Sequence, residues 1–317
     1  MGTSLRDKAV LDLLQSAGLP PAQVDSMAEQ ARDIAWWRQR NPRLSIDACS
    51  PGDFPESAPL ASNEVARQAA QVEREGFFQT GQVLEPSVIG CMRECVEGLL
   101  KDRWPPVFAF VYDQFWQVMR TPSLARLVSS VLGEGWKQNA LVWTFHVPAT
   151  RGAGGWAPHS DDALQLSRAR ITVWIPLSDA TVENGCMYVI PRDRMPPGLP
   201  SNYGEITGAT REELNLLLQA VKALPSPPGA LMGWDHQLIH WGSTSTGRTR
   251  DRISIAAEFI AAGEKTKAGE LPLMGPDQLP TLHERVRIVG SAIVEYGRVE
   301  LLMRKYAALG ARLRDSA

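Results

Sequence analysis

The chain has 317 residues, with 33 Lys plus Arg set against 35 Asp plus Glu, a formal charge of −2 and a pI near 6.2. That balance leaves no basic surface to track phosphates, so nucleic-acid binding is not expected, and 44% hydrophobic with 21% charged residues describes a folded chain. The longest near-continuous apolar run, residues 171–177, falls far short of a membrane span, and four cysteines (Cys49, Cys91, Cys95, Cys186) make no disulfide framework.

In chain order, the first 40 residues have a helical pattern. Leu5, Val10, Leu11, Leu13 and Leu14 keep helical spacing until Gly18 and Pro20-Pro21, and a second helix is predicted over 21–40. Arg6, Asp7 and Lys8 interrupt any signal-peptide core, and Arg6 stands where myristoylation wants Ser or Thr, so a cytoplasmic, reducing setting is expected. Pro42, Pro51, Pro55 and Pro59 mark a connecting segment. Ser62 is the predicted N-cap of a helix over 64–75 that Gly76 ends. A short strand, 77–84, precedes predicted helices over 86–100 and 122–132, each opened by proline.

Beyond Gly133 the texture changes. Runs rich in Val, Ile, Trp and Phe at 141–147, 171–177, 186–190, 230–234, 238–241 and 252–260 alternate with Gly, Pro, Asn and Asp clusters, the pattern of an antiparallel β-sandwich or barrel. Residues 192–229 read as an insertion carrying one helix, 211–223. A helical tail runs from 281 to about 309, with Val286, Val289, Ile293, Tyr296, Leu301 and Met303 as its buried stripe. The organisation predicted is a helical extension, 1–61, packed on one domain, 62–317.

Four of the five histidines, His146, His159, His236 and His240, lie in the β-rich middle; the fifth is His283. In His159-Ser160-Asp161 an imidazole and a carboxylate share one face of an extended chain and can reach one metal. A third ligand from a distant strand, for which His240 is the candidate, completes a two-His, one-carboxylate facial triad of the non-haem iron kind. With sixteen aspartates in the chain, a lone His-x-Asp also arises by chance, and a structural histidine is the plainer alternative. Arg252 and Ser254 share a strand face twelve residues on. A buried guanidinium beside a hydroxyl suits the far end of a dicarboxylate, though Arg248, Arg250 and Arg252 equally fit a solvated hairpin. Trp174 is placed to wall such a pocket or to fill the core. Glu258 shares the Arg252 face and reads more simply as a surface carboxylate at a strand end.

Several stretches resemble the phytanoyl-CoA dioxygenase-like branch of the Fe(II)/2-oxoglutarate oxygenases. They are Arg74-Glu-Gly-Phe-Phe-Gln-Thr-Gly, Thr121-Pro-Ser-Leu-Ala-Arg-Leu-Val, His159-Ser-Asp, Ile171-Thr-Val-Trp-Ile-Pro-Leu through Asn184-Gly-Cys, Pro228-Gly-Ala-Leu-Met-Gly-Trp-Asp, His240-Trp-Gly-Ser and Arg252-Ile-Ser-Ile. Together they cover about residues 65–260 in the family's order.

The resemblance implies a mainly β fold with α, a double-stranded β-helix (jelly-roll, cupin-like) core flanked by N- and C-terminal helices. It also implies His159, Asp161 and His240 as ligands of Fe(II), and a 2-oxoglutarate site at Arg252 with Ser254 and Trp174. Two positions depart from the pattern: Gly242 stands where the family usually has Ser, and His146-Val-Pro148 stands where many members have Lys before Pro. His146 is therefore a candidate cosubstrate contact. The activity implied is an O2-consuming dioxygenase, hydroxylating an unactivated C–H bond of a small molecule and releasing succinate and CO2. Desaturation, epimerisation or cyclisation at the same centre, or a zinc-binding or non-catalytic cupin-like protein, are the alternatives. With Asp161 as a ligand, halogenation is disfavoured.

Two other motifs lack the context their chemistry needs. Gly152-Ala-Gly-Gly-Trp-Ala157 fits a dinucleotide-binding glycine pattern, but no crossover helix fits before the strand at 171, so a loop at the barrel mouth is expected. His236-Gln-Leu-Ile-His240 has zincin spacing without the glutamate base, and its frame favours a hairpin, with His236 near the turn as a structural or pocket-rim residue. A monomer or homodimer is expected, since Trp36-Trp37 can pack across a dimer as readily as within the fold.

Overall fold

Helices at the start of the chain end where a side chain or glycine offers the backbone another partner. In the computed structural model, which describes residues 18–161, 168–195, 210–264 and 273–315, the helix predicted over 21–40 is two: α1, Pro21–Arg32, and α2, Ile34–Arg40. Asp33 divides them, because its carboxylate accepts from the Ala35 and Trp36 amides and caps α2. The predicted helix through Leu5–Leu14 and the Asn202-Tyr-Gly part of the insertion lie outside the described residues. Helix α3, Ser62–Glu75, begins one residue earlier than Ser62 as a cap would require; Ala61 is its N-cap, and Gly76 ends it at φ 90°.

Strand β1, Phe77–Gln82, and helix α4, Pro86–Lys101, follow. Residues 101–121 show no periodicity in sequence, yet they hold a 3-10 turn, Pro106–Val111, and a short helix α5, Gln114–Gln117. Phe108, Phe110, Tyr112, Phe115 and Trp116 of that segment are completely buried. Helix α6 is Pro122–Leu132.

The β-rich region supplies β2, Lys137–Val147, β3, Arg170–Pro176, and β4, Met187–Ile190. The insertion helix α7, Arg211–Ala220, stops short of the predicted 223 because Lys222–Leu224 forms β5. Then come β6, Ala230–Asp235, β7, Ile239–Gly242, β8, Arg252–Ile260, and β9, Leu273–Met274. Six strands form one antiparallel sheet in the order β1-β6-β3-β8-β2-β9, and three form a second, β5-β4-β7. Phe77, Trp174, Met232 and Ala256 of the large sheet share an apolar cluster with Met187, Val189 and Leu224 of the small one. The two sheets thus face each other as an open jelly roll, with helices against the outer face of the larger sheet.

The predicted tail helix is broken into α8, Leu282–Tyr296, a 3-10 turn, Leu301–Tyr306, and α9, Ala307–Arg314. The chain doubles back where Gly290 and Gly310 let α8 and α9 approach; a Cβ on Gly290 would stand 2.7 Å from the Gly310 oxygen. Val286, Val289, Ile293, Tyr296 and Met303 are buried as expected; the Leu301 side chain lies outside the description. Trp37 is buried within the chain against Trp104, Phe108 and Tyr112. No helix among the described residues is long and apolar enough to cross a membrane.

Candidate metal centre

Two histidines 81 positions apart become neighbours because the backbone pairs them directly. His159 N–H donates to the His240 carbonyl at 3.1 Å and His240 N–H to that of His159 at 2.9 Å, an isolated antiparallel bridge. The rings lie 4.4 Å apart between centroids. The Nδ1 of His159 donates to the Ala157 carbonyl at 2.8 Å and that of His240 to the Leu238 carbonyl at 3.1 Å. This fixes one tautomer in both rings and turns both Nε2 lone pairs the same way.

Each Nε2 lies 3.6 Å from Asp161 Oδ1, and the three donor atoms fall within 4.8 Å of one another. The other oxygen of Asp161, Oδ2, accepts from Trp234 Nε1 at 3.0 Å and Thr172 Oγ1 at 2.9 Å, leaving Oδ1 bare. An N, N, O set with its lone pairs convergent is one that a ferrous ion fits. Burial holds His240 down at about 4, so its ring is neutral and able to ligate. Burial opposes the charge on Asp161, but His240, His236, His159 and the Trp234 bond outweigh it and hold the carboxyl well below its usual range.

The triad lies on a cavity of about 300 Å³ between the sheets. Strand periodicity decides which side chains enter it: Thr172 and Trp174 of β3, Trp143 and Phe145 of β2, and Arg252, Ala256 and Glu258 of β8 share the inward face. Arg252 is 3% exposed, its Nη1 donates to Ser254 Oγ at 3.2 Å, and its guanidinium stands 5.6 Å from the Trp174 ring centroid. Burial lowers this guanidinium to about 10, still cationic at neutral pH. Arg252 Nε and Trp174 Nε1 are buried with no hydrogen-bond partner among the described residues. A buried cation with two idle donors nearby fits the carboxylate of an incoming ligand. Gly242 lies on the same strand face as His240, where a Cβ would make only ordinary contact with Arg252 Nη2, at 3.7 Å.

The structure brings His159, Asp161 and His240 together, and places Arg252 and Trp174 on the same cavity with Ser254 behind the guanidinium. It does not bring in His146. That residue is out of phase with Trp143 and Phe145, pairs in register with Ile253, and its Nε2 lies 2.7 Å from the Asp251 carboxylate outside the cavity. Arg248 and Arg250 are exposed, so of the three arginines only Arg252 turns inward. Glu258 is not a surface carboxylate; it lines the cavity, held by Arg170 Nη1 at 2.8 Å and Asn139 Nδ2 at 2.9 Å.

Sequence reading missed Thr172 and Trp234 as supports of Asp161, although the two-residue spacing of Thr172 from Trp174 carried the signal. The glycine-rich decoy is a loop, with Gly152, Gly154 and Gly155 at positive φ and hydrogen bonds to Ser245. The His236–His240 segment is a turn, as expected, but it crosses from one sheet to the other instead of closing a hairpin within one.

Among solved structures, similar folds include the non-heme alpha ketoglutarate dependent epimerase SnoN from nogalamycin biosynthesis, at 17% identity and a TM-score of 0.53, covering 69% of this chain and 100% of that one. The non-heme monooxygenase ThoJ matches at 16% identity and 0.54, covering 78% and 100%. EctD from S. alaskensis, solved with 2-oxoglutarate and 5-hydroxyectoine, matches at 16% and 0.52, covering 75% and 94%. At these identities the likeness is one of fold. A search of curated proteins finds no match. The family model described as Phytanoyl-CoA dioxygenase (PhyH) matches residues 13–251, a range that starts well before the motifs from 65 onward and ends one residue short of Arg252. With a match over most of its length, the chain belongs to the phytanoyl-CoA dioxygenase family.

Proposed function

We propose that the chain is an Fe(II)- and 2-oxoglutarate-dependent oxygenase that hydroxylates a C–H bond of a small molecule. One observation carries the reading: two histidines with Nδ1 tied to carbonyls aim both Nε2 atoms at one free carboxylate oxygen, 3.6 Å from each. Structures of SnoN with Fe3+ and alpha ketoglutarate, and of EctD with 2-oxoglutarate, are similar in fold and add support. When bound, iron with 2-oxoglutarate and O2 supplies the oxidising power, with succinate and CO2 as coproducts.

The protein's own part is to hold and orient. His159, Asp161 and His240 would hold the ion, and the hydrogen bonds from Trp234 and Thr172 occupy Asp161 Oδ2 and leave Oδ1 to ligate. Arg252, steadied by Ser254 and flanked by the idle Trp174 N–H, takes the far carboxylate of 2-oxoglutarate. Trp143, Phe145 and Trp156 give the cavity an aromatic wall beside the triad.

The test is anaerobic addition of Fe(II) and 2-oxoglutarate, which should raise a weak visible band, followed by oxygen and assay of succinate. His159→Ala and Asp161→Ala should lose both signals. Retention of succinate formation by Asp161→Ala would refute the assignment, and tight zinc with no band would favour the zinc-binding or non-catalytic alternatives.

A further inference from the structure

Glu258 is a carboxylate that lines the cavity and takes no part in holding the metal or the proposed cosubstrate. Of the nine residues of β8 it alone is not buried. That strand is hydrogen-bonded on both edges, to β3 and to β2, so the exposure of Glu258 opens onto the inward face. Two donors from neighbouring strands fix its head group: Arg170 Nη1 donates to Oε1 at 2.8 Å, and Asn139 Nδ2 to Oε2 at 2.9 Å. Asn139 Oδ1 accepts from the Leu141 amide at 3.0 Å, which settles the side chain with Nδ2 toward Glu258. A carboxylate oxygen accepts from two directions, and among the described residues each of these has one donor. His236 Nδ1, 3.7 Å from Oε1, is beyond hydrogen-bond reach. Accepting capacity is therefore left over on both oxygens, whatever the state of that ring.

The surroundings say what can use it. Arg252 and Glu258 stand six residues apart on one face of β8, about 20 Å along the strand, well beyond the span of a five-carbon diacid anchored at Arg252. Leu141, Trp143, Ala257 and Tyr296 are the apolar lining at the Glu258 end, and the Tyr296 hydroxyl is spent on the Val142 carbonyl at 2.8 Å. Because Oε1 is in an ion pair with Arg170, a second full positive charge at this carboxylate would crowd the guanidinium; an anion would meet the carboxylate itself. A neutral donor on an apolar body meets neither cost.

We propose that Glu258 is a specificity-determining residue, whose carboxylate accepts a hydrogen bond from a hydroxyl or N–H of an uncharged substrate with an apolar ring body lying against Leu141, Trp143 and Tyr296. This substrate class rests on the oxygenase reading, and the test separates the two. The full chain is given Fe(II) and 2-oxoglutarate under nitrogen and the visible band is recorded. Three probes of one shape are then titrated by calorimetry, whether or not the band forms: indane, which has no donor; 2-indanol, a neutral alcohol; and 2-aminoindane, a cation at neutral pH. Absence of the band counts against the oxygenase reading alone, and the order of the probes bears on Glu258 alone.

2-Indanol should bind at least about tenfold more tightly than indane, the yield of one hydrogen bond to a charged acceptor in a buried site. 2-Aminoindane should bind more weakly than 2-indanol. In Glu258→Leu the preference for the alcohol should vanish through weaker 2-indanol binding, with indane unchanged. Should that variant not fold, Glu258→Gln takes its place: a neutral amide oxygen accepts about half as strongly, so the preference should shrink several-fold. The proposal is overturned by equal affinities for indane and 2-indanol, by no 2-indanol binding, by tighter binding of 2-aminoindane, or by a preference that survives the substitution. If neither variant folds, the order of the probes on the unaltered chain decides.

Discussion

A carboxylate that holds a metal has a second oxygen that must be kept occupied, and in Asp161 that oxygen accepts from an indole and a hydroxyl. Trp234→Phe removes one of these donors at little cost in volume. Metal affinity should fall 10- to 100-fold, as measured by competition with a chelator; an unchanged affinity would mean the indole does not orient the ligand. Arg252 makes the opposite bargain, a buried cation whose best partner is brought by a ligand. Arg252→Ala should weaken 2-oxoglutarate binding by about 2–5 kcal/mol, read as a rise in Kd from the anaerobic titration. At this scale the sequence was eloquent about the His-x-Asp pair, because adjacency on an extended chain needs no tertiary information. It said little about His146, whose face depends on the phase of β2 after an irregularity between Gln138 and Val142.

Between elements, single backbone positions control how the site is assembled. Gly185, at φ 91°, sits where a Cβ would collide with the Ser243 carbonyl, in the loop that follows the His240 strand. Gly185→Ala should cost more than about 1 kcal/mol of stability in denaturant unfolding and should weaken metal binding along with it. The α8 helix is anchored by Arg285, whose Nη1 lies 2.7 Å from Asp113 Oδ1, both groups fully buried. Burial works against the Asp113 charge, but Arg285 and the Ala48 amide overcome it and lower the carboxyl below its ordinary value of 3.8. A lowered folded value means this stabilisation is complete above about pH 4 and is lost as pH falls through the folded value. Asp113→Asn should cost about 3 kcal/mol at pH 7 by leaving the guanidinium without its closest carboxylate. It should also flatten the acid limb of a stability-against-pH curve. Strands such as β3 and β8, short β-branched and apolar runs bounded by Gly, Pro, Asn and Asp clusters, were readable to within a residue or two. The buried 106–117 segment was not, because a run apolar on every side carries no period to read.

For the molecule as a whole, the cavity couples ligand binding to folding. Metal and 2-oxoglutarate present at a hundredfold over their dissociation constants should each add about 2.7 kcal/mol to stability, raising the melting temperature; a chelator should reverse the metal's share, and Asp161→Ala should show none of it. The family match starts at residue 13, and Val24, Met27 and Trp37 share one apolar cluster with Leu309 and Leu313. The sequence by itself determined the change from helical to β-rich texture and the chemistry of the donors, since both follow from side-chain identity and spacing along the chain. Tertiary structure alone decided the rest. It set His240 against His159 through a two-bond backbone bridge, turned Arg252 inward while leaving Arg250 outside, and closed Glu258 and His236 into one wall. Those outcomes depend on the register between strands and on which sheet each strand joins, and such relations are fixed only when distant segments exchange hydrogen bonds and bury a common face.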